Sequence, residues 1–174
     1  MYSVRKADSS DYERVVKLYK EVAAGLGEFT RIESEITGDY TTNFFNKSLS
    51  GGLMLLVPNP ENEDELIAEI HAYKPGQILY SHILQDTVLA VHPAFQGKGF
   101  GKLLWNSFLD EIKLNRQDIC RLEIIIRETN YRTIDYYKSL HFKIEGRLEK
   151  RVDSGIGKLE ADIPMCWFNP NFGK

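Results

Sequence analysis

LAVHPAFQGKGFGKLL, residues Leu89 to Leu104, decides how this chain reads. The stretch begins as an apolar strand, breaks at Pro93 and enters a helix through glycines at 97, 99 and 101. A glycine inside a helix costs roughly 1 kcal/mol against alanine, so three at alternate positions need a reason. One reason is a tight turn; another is a backbone that something else approaches closely. A strand, a glycine loop and a helix start make an anion site. The first helical N–H groups lack partners, and the helix dipole favours negative charge there. Lys98 and Lys102 add positive charge. The plainer reading is a tight turn flanked by solvated lysines.

Outward from this loop the periodicity supplies the rest of the fold. Tyr2 to Lys6 reads as a short strand. Asp8, Ser9 and Ser10 offer N-caps for a helix to about Ala24, ended by Gly25 and Gly27. A second helix is expected near Tyr40 to Leu49, broken by Gly51 and Gly52. Strands follow at Leu53 to Val57, Leu66 to Lys74 and 82–91. The helix after the glycines runs from about Gly99 to Leu114, with Leu103, Leu104, Phe108, Leu109 and Ile112 as its stripe. Cys120 to Ile126 reads as a central strand and Asn130 to Leu140 as a short helix. Phe142 to Arg151 and Leu159 to Phe168 close as a hairpin, turning between Asp153 and Gly157. The expected class is α/β (α+β): one domain over 1–174, a mixed, mostly antiparallel sheet of about seven strands with about four helices.

Composition narrows the functions. The 174 residues suffice for one full core. A net charge of −3 gives no general attraction to nucleic acid. No apolar run reaches the roughly 20 residues of a membrane span, and the N-terminus lacks a signal-peptide pattern. Cys120 and Cys166 stand in apolar, strand-like surroundings and read as reduced residues of a cytoplasmic protein. Cys120 starts a strand with no partnering histidine, which favours packing over nucleophilic chemistry.

Two phosphate-binding patterns fail on spacing. A Walker loop needs Gly-Lys followed by Ser or Thr. Here Lys98 precedes Gly99 and Lys102 precedes Leu103. The dinucleotide fingerprint Gly-x-Gly-x-x-Gly is not matched by Gly-x-Gly-x-Gly, although Glu123 lies at a plausible distance downstream.

A third pattern fits. The stretch 89–104 resembles the acetyl-coenzyme A motif of the GCN5-related N-acetyltransferases, Gln/Arg-x-x-Gly-x-Gly/Ala, through Gln96, Gly99 and Gly101. A second signature of that family is matched in NYRTIDYYKSLHF by Asn130, Tyr137, Leu140 and Phe142, with His141 where relatives carry glycine. The resemblance implies an acetyltransferase using acetyl-coenzyme A as co-substrate, without a metal. It implies main-chain binding of the pantetheine by Leu89, Ala90 and Val91. It also implies a pyrophosphate site at Gln96, Gly97, Lys98, Gly99, Phe100, Gly101 and Lys102, with Asn130 and Tyr137 bordering the same cofactor. Leu89 N–H would face the oxyanion and Tyr137 would be the general acid; its neighbour Tyr136 is the better core candidate.

The general base stays open. A glutamate that some relatives place on the strand before the loop is Gln85 here. Asp86 is adjacent, but strand alternation turns it to the other face unless a bulge intervenes. Glu69 and His71 share one face of the neighbouring strand, and His82 is a further candidate. The implied acceptor is a small-molecule or peptide amine. Its wall is expected from residues 25–50, acidic through Glu28, Glu33, Glu35 and Asp39 against Arg31 and Lys47, and aromatic through Tyr40, Phe44 and Phe45. The apolar ending IPMCWF permits a homodimer. A non-catalytic acyl-coenzyme A sensor of the same fold, and a dinucleotide oxidoreductase, are the competing functions.

Overall fold

The computed structural model describes residues 2–25, 31–153 and 157–174. Gly27, Glu28 and the centre of the turn between Asp153 and Gly157 lie outside the described residues. The chain runs β1 (Arg5–Lys6), α1 (Tyr12–Ala23), α2 (Gly38–Ser50), β2 (Leu53–Pro58), β3 (Leu66–Tyr73) and β4 (Ile83–Val91). Then come α3 (Phe100–Asn115), β5 (Arg121–Arg127), α4 (Tyr131–Ser139), β6 (Lys143–Ile144), β7 (Leu148–Asp153) and β8 (Leu159–Phe168). Local chemistry sets the helix starts. Asp8 accepts from Ser10 N at 2.8 Å in the turn leading into α1, and Thr37 accepts from Tyr40 N at 3.3 Å at the start of α2.

The strands form one eight-stranded sheet in the order β1-β2-β3-β4-β5-β8-β6, with β7 also paired to β8. Among the described residues only β4 and β5 run parallel; the other pairs are antiparallel. The expected long strand from Phe142 to Arg151 is divided: β6 and β7 share one edge of β8, separated around Gly146, which raises the strand count to eight.

Helices cover both faces, which explains the unbroken apolar run of β2. Leu53, Leu55 and Val57 join a core with Leu104, Trp105, Phe108 and Ile112 of α3. Met54 and Leu56 join a second core with Leu18 and Tyr19 of α1 and Phe44 of α2. Register carries that division into β3. Ile70 lies opposite Leu55, whereas Glu69 and His71 lie opposite Leu56 and Met54 and so share the α1/α2 face. On α3, Leu103 is exposed and Trp105 takes its expected place in the buried stripe. At the end of α4, His141 holds φ +69°. That left-handed conformation is the reason glycine suits this position. Both cysteines are free thiols, and burial pushes the Cys166 thiol up to about 12.

Candidate active site

The sheet opens at its centre. β4 and β5 pair only at Ile83–Arg121 and Leu84–Leu122, after which no further pair joins them. Past that point a single side chain bridges the two strands: Thr87 Oγ1 donates to Glu123 O at 2.8 Å. On its other edge β4 stays paired with β3, and His92 N continues the ladder to Ile67 O at 2.9 Å. Antiparallel pairing alternates inward and outward along a strand. The 92/67 bond therefore turns the polar groups of Ala90 and Val88 toward β3, and those of Leu89 and Val91 toward the gap. Ala90 is also fully buried, so of the expected trio Leu89 and Val91 alone offer main chain to a ligand there.

The glycine loop lies at the end of this strand. Gly97 and Gly99 hold φ +72° and +89°, where L side chains are strained. Gly99 is the N-cap of α3, and no side chain caps the helix. Leu103 N closes the first turn on Gly99 O at 3.0 Å, which leaves the preceding N–H groups at an open helix start. Gly101 serves a different need: a Cβ there would meet Leu89 Cδ2 at 3.2 Å. Its absence lets the first turn of α3 lie directly on β4. Gln96 Nε2 donates to Val91 O at 3.4 Å and ties the loop to the strand. Lys98 and Lys102 are exposed, Lys98 Nζ lying 5.0 Å from the Phe95 ring, and Phe100 is buried. Uncapped N–H groups and a left-handed turn form a concavity suited to an anion, and the strand edge beside it suits an amide-bearing chain.

Tyr137 packs its ring against Trp105 at 5.0 Å and Phe142 at 5.4 Å, in the same cluster against which Leu89 and Val91 lie. Burial holds its phenol well above the ordinary value. Tyr137, at 7% exposure, is the buried member of the pair and Tyr136 is half-exposed, the reverse of the expectation that Tyr136 is the core residue. Asn130 caps α4 through its backbone and leaves its side chain out of the cap.

Toward α2 the gap widens into a cleft of about 560 Å³, lined by Tyr40, Phe44, His71, Tyr73, Asp86 and Arg127 among others. Glu69 and His71 are both buried, at 0% and 1% exposure. His71 Nδ1 lies 3.0 Å from Glu69 Oε1, and Tyr19 OH donates to Glu69 Oε2 at 2.8 Å. The His71 ring is stacked on Phe44 at 4.5 Å and borders the cleft. A carboxylate oxygen only accepts, so a neutral His71 ring that bonds Glu69 Oε1 does so with its proton on Nδ1 and keeps the lone pair on Nε2.

Asp86 also reaches the cleft. Its φ of +52° marks a one-residue bulge: His71 pairs with Val88 but Tyr73 with Gln85. Burial and then Asp86 raise the Tyr73 hydroxyl well above its ordinary value. His82 does not line the cleft; its carbonyl accepts from Cys120 N at 2.8 Å at the other end of β4. Three acids of the expected acceptor wall lie away from the cleft. Glu33, Glu35 and Asp39 are exposed and none lines the cleft, whereas Arg31 does, 4.1 Å above the Tyr40 ring. The sequence held no periodic signal for Arg127 or Arg151, which come to the cleft from β5 and β7.

Among the described residues, one group elsewhere has metal-ligand chemistry. Glu21, Glu65 and His92 bring donor atoms within 4.8 Å of one another. His92 Nδ1 accepts from Ala94 N at 3.2 Å, so the neutral ring carries its proton on Nε2, 3.2 Å from Glu21 Oε2. Glu21 Oε2 is buried beside it and makes no hydrogen bond among the described residues. Among the described residues no helix is long and apolar enough to cross a membrane.

Residues 13–142 match the family model described as Acetyltransferase (GNAT) family. A comparison with curated sequences finds no match. Among solved structures, an acetyltransferase of the GNAT family from Streptococcus pneumoniae superposes with a TM-score of 0.80 at 18% identity, covering 97% of this chain and 99% of that one. A phosphinothricin acetyltransferase from Sinorhizobium meliloti, in complex with acetyl-coenzyme A, gives 0.71 at 16% identity over 97% and 88%. A ribosomal-protein-alanine N-acetyltransferase from Brucella melitensis gives 0.70 at 16% identity over 95% and 99%.

Proposed function

The chain belongs to the GNAT acetyltransferase family, and from that premise we propose that it transfers an acetyl group from acetyl-coenzyme A to a primary amine held in the same complex. One observation carries the reading: the unpaired edge of Leu89 and Val91 runs into the uncapped, glycine-started helix α3. Acetyl-coenzyme A supplies the acetyl thioester. Leu89 and Val91 main chain hold its amide-bearing arm, and the N–H groups from Gly97 to Lys102 hold its pyrophosphate. Asn130 borders the same site.

His71 is our choice of base, with Glu69 and Tyr19 holding its ring. A neutral imidazole whose Nε2 keeps its lone pair can take a proton from an alkylammonium. Asp86 is positioned to hold that ammonium beside Tyr73. As the amine attacks the acetyl carbon, Leu89 N–H stabilises charge on the carbonyl oxygen. The carbon–sulfur bond then breaks, Tyr137 gives its proton to the departing sulfur, and the proton shed by the new amide nitrogen restores the Tyr137 phenol. Its raised pKa keeps this phenol protonated across the neutral range; it also makes Tyr137 a hydrogen-bond donor first and a full proton donor second.

The competing reading, an acyl-coenzyme A sensor, rests on Gln85 standing where some relatives have a catalytic glutamate. Calorimetric titration with acetyl-coenzyme A, followed by an amine screen, separates the two. Micromolar binding with turnover is expected. Binding without turnover of any amine supports the sensor, and no binding by the folded protein removes both.

A further inference from the structure

We propose that the acceptor is an amine that also carries an anionic group, a carboxylate or a phosphonate-like acid, and that Arg127 and Arg31 bind that group. The proposal rests on the acetyltransferase reading and concerns the same cleft. Charge pairing around the cleft points to it. Of the four acids that border it, Asp162 is bound to Arg151 Nε at 3.2 Å and Glu123 to Arg121 Nε at 2.8 Å, and Asp153 is also engaged. Asp86 is hydrogen-bonded by Gln85 Nε2 at 3.1 Å and has no cationic partner within ion-pair distance among the described residues. Of the cations, Arg127 faces Asp162 in register on β8, but that carboxylate is engaged by Arg151. Neither Arg127 nor Arg31 makes an ion pair among the described residues, although both line the cleft. Arg31 is held against the Tyr40 ring.

The cleft therefore presents one carboxylate, Asp86, held by Gln85 and Tyr73 but without a cationic partner, and two guanidiniums without an ion-pair partner among the described residues, around an aromatic floor of Tyr40, Phe44 and Tyr73. A simple alkylamine would satisfy Asp86 and leave both guanidiniums facing an apolar ligand body. A zwitterion satisfies all three. Guanidinium is the side chain best matched to a planar or tetrahedral oxyacid, through two parallel N–H bonds. The aromatic floor suits the carbon chain between the two charged ends.

The test uses the intact protein with saturating acetyl-coenzyme A. The acceptors are the twenty L-amino acids and 2-aminoethylphosphonate, set against the decarboxylated amines and the C-terminal amides of the same amino acids. At least one acid should be acetylated with kcat/KM about tenfold or more above its amide and its amine. Arg127→Gln should raise KM for the acid about tenfold and for the amide much less, so that the preference between them falls toward one. Arg127→Lys should restore part of it. The same acids should raise the Tm of the coenzyme A complex of wild type but not of Arg127→Gln.

Equal turnover of acids and amides overturns the proposal, as does an Arg127→Gln variant that loses both alike. Failure of every acid either to react or to raise Tm, in a protein that binds acetyl-coenzyme A, also overturns it. Failure to bind acetyl-coenzyme A at all would instead overturn the underlying reading.

Discussion

The two sides of the opening between β4 and β5 are built by different means. Toward α3 the surface is main chain: two strand residues, a left-handed turn and an uncapped helix start, all within 89–102. Toward α2 it is side chains brought together from α2, β3, β4, β5 and β7. A surface made of peptide groups depends on φ/ψ and on the absence of Cβ atoms, and is indifferent to most side-chain changes. A surface made of side chains depends on burial and on pairing, and each residue is held by its neighbours. The first kind suits a ligand whose chemistry is fixed, the second a ligand that varies. Substitutions should therefore separate the two sides cleanly, and each of the following would break that separation if it did not.

The largest expected effect is on the acceptor side. Glu69 is wholly buried and is the acceptor for both Tyr19 and His71. Glu69→Ala leaves two buried polar groups unpaired, and should cost about 3 kcal/mol of stability. Urea denaturation measures this, and calorimetry below the transition should find acetyl-coenzyme A affinity unchanged. A loss under 1 kcal/mol, or a parallel loss of acetyl-coenzyme A, would show that the two sides are not independent.

Next comes Tyr137→Phe, which keeps the ring packed against Trp105 and removes the hydroxyl. It should lower kcat by about 100-fold, equivalent to about 2.7 kcal/mol of barrier, with acetyl-coenzyme A affinity nearly intact. The pH profile sharpens this. Burial raises the Tyr137 pKa above its ordinary value near 10, so the protonated, donating form persists as pH rises through 10. An alkaline fall in kcat centred well below 10, and absent in Tyr137→Phe, would contradict the assignment.

The same contrast explains what the sequence made legible. The main-chain side follows from local rules, and glycines, Pro93 and an apolar strand in one continuous run announced it. Structure refined it by separating the roles of the glycines and by turning Ala90 away from the gap. The Glu69 and His71 pairing was readable too, because period-two alternation placed both on one face. Tyr19 was not, since its contact lies fifty residues away in sequence. Asp86 depended on a bulge, which no periodicity discloses. Three acids of the expected acceptor wall were misplaced because composition counts charges without saying which face inward: Glu33, Glu35 and Asp39 are exposed away from the cleft, and Arg31 borders it.

A smaller effect tests the main-chain side. At Gly99, with φ +89°, an added Cβ meets nothing within 4 Å, so the cost of Gly99→Ala is conformational and not steric. Left-handed strain of about 1–2 kcal/mol is relieved by moving the loop, which should weaken acetyl-coenzyme A binding about tenfold. Stability should change little, and the ratio of kcat/KM between rival acceptors should not change. A shift in acceptor preference would mean that the loop also shapes the acceptor side.

The smallest effect belongs to the residue that joins the two sides. Thr87 Oγ1 donates to Glu123 O at 2.8 Å where β4 and β5 part. It is the last side-chain tie before the gap, and it stands between Asp86 and Val88 on one strand and beside Ile124 on the other. Thr87→Val keeps the shape and removes the donor, leaving a half-buried carbonyl without its partner at a cost of about 1 kcal/mol. Because the bond fixes where the strands separate, its loss should raise KM for acetyl-coenzyme A and for the amine together, by a few-fold each. Here alone a single substitution should move both sides in the same direction. If it moves only one, the opening is held apart by the packing of α3 and α2 on their own faces, and the tie at Thr87 is incidental.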